Sequence, residues 1–297
     1  MKNLLISLLV LSAFILFSCN KEDGASLISS EEEAIISNDA AIETVIESAD
    51  YEVDLFSSST ESLNAIATNL KTTEEHPFWG RYRLGKAPNV TIETTNGDFP
   101  KTITLDYGEG TELNNGTVIS GSIIIVVSAP PRTDGATREV SFNEFYVDSV
   151  NIAGTRTITF NASDEEGITF TVIGDLTFTF SDGTYIERNA EKVRKLVEGY
   201  ATHFDHSDDV LHITGYVSSV SSEGYTFSRT IIEKLVRLGD CRYIVSGIVV
   251  VEKNDEVFAE LNFGDGTCDD IATIIKNGEE RQITLGKRHR IRNQHNN

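Results

Sequence analysis

The chain has 297 residues and carries 25 Lys and Arg against 46 Asp and Glu, a formal charge of −21. That balance argues against a nucleic-acid partner, because a phosphate backbone requires a basic footprint. An apolar fraction of 39% with 15 Phe and 9 Tyr argues against disorder and suffices for a sizeable packed core.

Lys2 precedes an apolar run from Leu4 to Phe17. The run is too short to cross a bilayer as a permanent helix, which needs roughly 20 residues. A positive start, an apolar middle and a small residue before a break form the pattern of a secretory signal. Leu16-Phe17-Ser18-Cys19 resembles the lipobox of bacterial lipoproteins. The resemblance implies removal of residues 1–18 and acylation of Cys19, whose thiol accepts a diacylglycerol while further chains such as palmitate complete the anchor. Residues 19–29 read as a small, polar, acidic tether. Within it, Lys21-Glu22-Asp23 is similar to the signal of Bacteroidetes lipoproteins displayed at the cell surface. The implied location is the outer membrane, lipid-anchored and surface-exposed, with the periplasmic side as the alternative.

Residues 30–75 read as a helical N-terminal segment. Ser30-Glu31-Glu32-Glu33 suggests a capping box pairing Ser30 with Glu33. Ala34, Ile35, Ala41, Ile42, Val45, Ile46 and Ala49 then recur at helical spacing, predicting a helix over 30–50 that can extend to Phe56. A weaker helical stretch covers Glu61–Leu70.

From His76-Pro77-Phe78-Trp79-Gly80 to residue 286 the chain is strand-like. Period-2 alternation is plain in Thr155–Phe160, Ile168–Val172 and Leu176–Phe180. Asn115-Gly116, Asp134-Gly135, Asp182-Gly183 and Asn277-Gly278 punctuate the runs as hairpin turns. Glu191–Thr202 has helix-compatible Val193, Leu196 and Val197, yet its flanks favour an extended run. About fourteen to sixteen short strands exceed what one flat sheet normally holds. The expected fold is mainly β: a large antiparallel β-sandwich or a coiled sheet assembly, preceded by the short helical segment. Residues 287–297 form a basic C-terminal tail.

With Cys19 acylated, Cys241 and Cys268 remain in an exported domain, where oxidising conditions allow a bridge. Neither belongs to a Cys-x-x-Cys pair, so a structural disulfide is favoured over a metal or redox pair.

Two stretches are alike. Thr102–Thr111 contains Tyr107-Gly108-Glu109-Gly110, and Phe258–Thr267 contains Phe263-Gly264-Asp265-Gly266. They predict two related β units, one at each end of the domain. Phe142–Thr157 and Asn262–Thr273, the latter closing in Ile283-Thr284-Leu285, resemble a family of uncharacterised Bacteroidetes β-rich lipoproteins over about residues 85–286. The resemblance implies a β-rich domain and supplies no activity, so no functional residue is carried over. A further Cys pair common near the first glycine motif of that family is missing here.

Among candidate sites, His203, Asp205, His206 and His212 form a cluster able to ligate zinc, with Asp208 and Asp209 nearby. A polar loop between two strands is the favoured reading. The paired glycine motifs, with Asp269 and Asp270, are an alternative calcium site, although their spacing matches no EF-hand loop. Tight hairpins or bulges explain those glycines better. Trp79, Tyr82, Tyr216 and Tyr225 offer a sugar-stacking platform if exposed, and the tail from Lys287 to Arg292 could meet anionic lipid or polysaccharide. No Gly-x-Ser-x-Gly elbow and no His-Glu-x-x-His appears. The expectation is a lipid-anchored, non-catalytic binding or envelope module with no cofactor, held to the membrane by its anchor and meeting a protein or polysaccharide. A metal-dependent hydrolase using the His203–His212 loop and a calcium-stabilised adhesion domain are the alternatives.

Overall fold

The computed structural model describes residues 28–57, 87–94, 97–163, 167–202 and 206–286. The signal, Cys19, the stretch Glu61–Leu70, Trp79, Tyr82, His203, Asp205 and the basic tail lie outside the described residues.

The predicted helix is α1 (Ser30–Ser57), 28 residues long. Its capping box closes one residue earlier than the sequence suggests. Ser29 Oγ accepts the Glu32 N–H at 3.2 Å, and the Glu32 carboxylate accepts the Ser29 N–H at 2.8 Å. The adjacent serines and the run of three glutamates allow either register. The earlier one leaves Glu33 free to meet Arg281 at 2.8 Å and seats Ile28 in the core.

Fourteen strands follow. The first five are β1 (Asn89–Thr94), β2 (Lys101–Asp106), β3 (Thr111–Glu112), β4 (Val118–Val127) and β5 (Thr137–Val147). The long central strands are β6 (Val150–Ser163), β7 (Gly167–Thr179), β8 (Tyr185–Glu198), β9 (Val210–Ser221) and β10 (Thr226–Leu238). The chain closes with β11 (Ile244–Lys253), β12 (Glu256–Asp265), β13 (Ile271–Lys276) and β14 (Glu279–Thr284). Glu191–Glu198 is therefore extended, as its flanks predict.

All fourteen strands belong to one antiparallel sheet that runs in chain order from β1 to β14, with β3 adding a short pairing to β4. Among the described residues β1 and β14 each pair on one side only, so the sheet is not closed into a barrel. The fold is mainly β, and of the two architectures expected it is the coiled assembly. Asn277-Gly278 makes the predicted tight turn between β13 and β14, both residues at positive φ (51° and 84°).

The sheet coils around α1. Ile28, Ile36 and Ala40 pack with Leu235, Leu261 and Ile274 from β10, β12 and β13. Ile42, Val45, Val53 and Phe56 pack with Leu105, Ile125, Phe145 and Phe178 from the earlier ones. Twenty-two of the 28 helical residues are buried, so the helix is the centre of the β domain rather than a segment preceding it.

Gly215 shows what such coiling demands of the backbone. It sits in β9 at φ +135°, and a Cβ there would lie 2.2 Å from the Glu191 carbonyl oxygen and 2.7 Å from the Lys192 Cα. Gly215→Ala is expected to destabilise the fold by about 2–3 kcal/mol, read from denaturant unfolding.

Cys241 and Cys268 form the disulfide expected from the sequence, with sulfurs 2.06 Å apart. The bridge encloses β11 and β12. Replacing both cysteines by alanine is expected to lower the unfolding free energy by about 3.5 kcal/mol through the freed loop.

Candidate functional site

Along α1, Asp39, Glu43, Glu47, Asp50 and Asp54 recur at four- and three-residue spacing and so form one stripe. All five are buried or nearly so, and a buried carboxylate requires a counter-charge. The central strands supply it. On β8, Arg188, Lys192 and Arg194 point inward at period two, and Arg138, Arg156, Arg229 and Arg237 join them from β5, β6 and β10.

The pairing is dense. The Arg188 Nη2 meets Glu43 at 2.7 Å and its Nη1 meets Asp39 at 3.4 Å. Arg229 reaches Asp39 at 3.1 Å, and both Arg229 and Lys192 also contact Glu43. Arg194 bridges Asp54 at 2.6 Å and Asp50 at 3.3 Å. Arg138 binds Asp54 at 2.8 Å, Arg156 contacts Asp50, and Arg237 binds Glu47 at 3.0 Å. Register makes room for these long side chains. One row crosses the sheet as Arg156, Gly174, Ala190, Val217 and Arg229, so the two small residues sit between the arginines.

Electrostatics follow from the geometry. Burial pushes the Glu43 carboxyl up, but Arg229, Lys192 and Arg188 outweigh it and hold the group well below the ordinary range. For Asp54 burial is likewise overcome, by Arg194 and Arg138, and the carboxyl is held low. A sixth acid of α1, Glu52, is also buried and accepts the Tyr107 hydroxyl at 2.6 Å. Burial brings Lys192 down to about 8, despite Glu43, and brings Arg156 down to about 9.

At the end of the stripe near Asp54 the chain forms a small pocket of about 40 Å³, partly open to solvent. Its apolar wall is Phe160, Ile168, Phe170, Leu196 and Leu211. Phe160 and Phe170 are register partners with rings edge to face at 5.7 Å. The polar side holds Arg132, Arg194, Thr202, Asp54 and the pair His206–Asp209, whose Nδ1 and Oδ2 are 2.6 Å apart. Tyr51 of α1 meets the His206 ring edge-on at 6.3 Å.

Of the predicted metal cluster, His206 and His212 are among the described residues. His206 turns toward the helix, whereas His212 follows the inward Leu211 on β9 and so faces the other side of the sheet. Burial first, then Lys234 and Lys195, lower the His212 pKa, surroundings that repel a cation. Among the described residues no three His, Cys, Asp or Glu side chains gather in metal-binding geometry. His203 and Asp205 lie outside them.

Around the glycine motifs several side-chain oxygens are spent on the turns themselves. Asp106 and Asn262 accept the N–H of Gly108 and Gly264, each at 2.9 Å, so the two related stretches share one Asx turn. Tyr107 and Phe263 are buried alike. Asp265 and Asp269 accept backbone N–H groups two residues on, from Thr267 and Ile271. Tyr216 is exposed mid-strand on β9, while Tyr225 lies in the β9–β10 turn against Phe227 and under Lys253. The two tyrosines therefore do not form one platform.

The acid stripe and the pocket both escape a reading of hydrophobic periodicity. The signal that could reveal them is five acids at helical spacing set against inward-alternating Arg and Lys on β8. Compared with protein-family models, with curated proteins and with solved structures, the chain matches none.

Proposed function

We propose that this protein is a lipid-anchored envelope module, non-catalytic, that binds a partner or small ligand at the outer membrane. The lipobox around Cys19 carries the anchoring half of the reading. Nine residues separate Cys19 from Ile28, a reach of at most about 30 Å, so an acylated Cys19 would hold the start of α1 close to the membrane. The Arg, Lys, Asp and Glu side chains gathered inside are paired with one another, which supports a structural role for the centre. Mass spectrometry of the processed chain is expected to find an acylated Cys19 as its first residue, and Cys19→Ser is expected to leave the membrane fraction. An amino terminus elsewhere, with Cys19 unmodified, overturns the anchor.

A further inference from the structure

We infer that the outer face of β7 to β10 is a self-association surface, on which a second copy of this chain packs face to face with its strands reversed. The inference goes beyond the reading above and does not depend on the lipid anchor.

Side chains alternate across a sheet, so strands that bury Arg and Lys inward leave their other residues to the outside. On these four strands that outside is apolar at its centre. Ile173 is 58% exposed, Ile232 52%, Tyr216 46% and Val193 38%. Register gathers them. Ile173, Glu191, Tyr216 and Thr230 form one row across β7 to β10, and Val193 sits in the next row between Thr171 and Thr214. Ile232 stands in the β10 bulge, between the pairs Thr230–Tyr216 and Leu235–Ile213. A contiguous apolar patch with a polar rim and an aromatic residue in it marks a protein contact.

The charges around the patch select the partner. On one side the outward rows hold Asp175 and Glu187, with Glu191 in the patch itself, and no Lys or Arg stands in those rows on β7 to β10. On the other side Lys195 is the register partner of His212, and Lys234 lies close enough to His212 to act on it. Glu233 in the bulge and Glu198 at the end of β8 lie there too, so this side carries both cations of the face and the first side carries only acids. A uniformly basic partner would meet Lys195 and Lys234. A second copy meets its own complement. A two-fold axis lying across the strands between Glu191 and Val193 joins the apolar patches and lays Lys195 of each copy over Asn189 of the other, between Glu187 and Glu191. Four strands of 12 to 14 residues at about 4.8 Å spacing offer up to roughly 750 Å² a side, near the roughly 800 Å² of a standard interface. The net charge of −21 repels a second copy at long range, but a Debye length of about 8 Å at physiological salt confines that repulsion.

Sedimentation equilibrium of the full chain in density-matched non-ionic detergent, at about 0.15 M salt, tests this. The chain is expected to be half dimeric at or below about 50 μM. Ile173→Glu changes an exposed side chain, so the unfolding midpoint is expected to stay in place while the dimer weakens by about tenfold or more. Lys195→Glu and Glu187→Lys are each expected to weaken self-association by about threefold or more. An equimolar mixture of those two variants is expected to associate more tightly than either alone, because both of its charge contacts are then opposite in sign. Three results overturn the assignment: a monomer throughout that concentration range, wild-type association of a folded Ile173→Glu chain, or a mixture no tighter than its separate components. None of them bears on the mass of the amino terminus, so failure here is separable from failure of the anchor.

Discussion

Replacing Glu43 by alanine is expected to destabilise the protein by about 3–5 kcal/mol, more than any other single carboxylate of the helix. Arg188, Lys192 and Arg229 all converge on this one side chain, and Asp39 shares only two of them. Its loss leaves Lys192 without an ion-pair contact among the described residues and strips charge from two fully buried arginines, the case in which removing one partner costs most. Glu43→Gln, which keeps the shape and removes the charge, is expected to follow the same direction, showing that charge rather than volume is at issue. The comparison is Glu31→Ala at the rim, where Glu31 is 61% exposed and meets Lys253 at 3.2 Å. That change is expected to stay within about 0.5 kcal/mol, since solvent screens the pair. Urea denaturation followed by circular dichroism separates the two outcomes. A Glu43→Ala chain as stable as the Glu31 variant would mean that the central cluster contributes nothing beyond filling space.

The strand content was legible because Ile168–Val172 and Leu176–Phe180 alternate in the ordinary way, apolar side inward, and Thr155–Phe160 does so apart from the inward Arg156. The helix was legible from its isoleucines, valines and alanines, and the disulfide from having two cysteines left in an exported body. What stayed hidden is the place of the helix. On β8 the ordinary pattern is inverted: Arg188, Lys192 and Arg194 are buried while Val193 is 38% exposed. Periodicity that scores apolar residues as inward assigns that strand's two faces wrongly, which is why Val193 reads as a helical cue. The inversion makes sense only with a partner of opposite charge, and that partner lies about 140 residues away along the chain. The pocket is hidden for a related reason. Phe160, Phe170, Arg194 and Leu211 meet through strand register, which no local signal in the sequence specifies.

The same cluster makes stability rise with pH on both sides of neutrality. Glu43 and Asp54 are held below their ordinary carboxyl values in the folded chain. The unfolded chain therefore binds protons at a higher pH than the native one, and the stability these groups confer is present above the ordinary carboxyl range. It is lost as the pH falls from about 4 toward the folded values, so α1 is expected to come free of the sheet in acid. Lys192 adds a contribution of the same sign at alkaline pH. Burial brings it to about 8 when folded, while the unfolded side chain keeps its proton to about 10.4. Between those values the unfolded chain holds more protons, so the contribution of Lys192 to stability rises with pH, by on the order of 1–3 kcal/mol. Arg156, brought down to about 9, acts in the same direction at higher pH. Thermal unfolding of the wild type and of Lys192→Met, compared at successive pH values from 7 to about 10, isolates the Lys192 share. The difference in stability between the two chains is expected to shift in favour of the wild type as the pH climbs. A difference that stays flat across that interval would mean that the Lys192 ammonium sits in its cluster at no electrostatic cost.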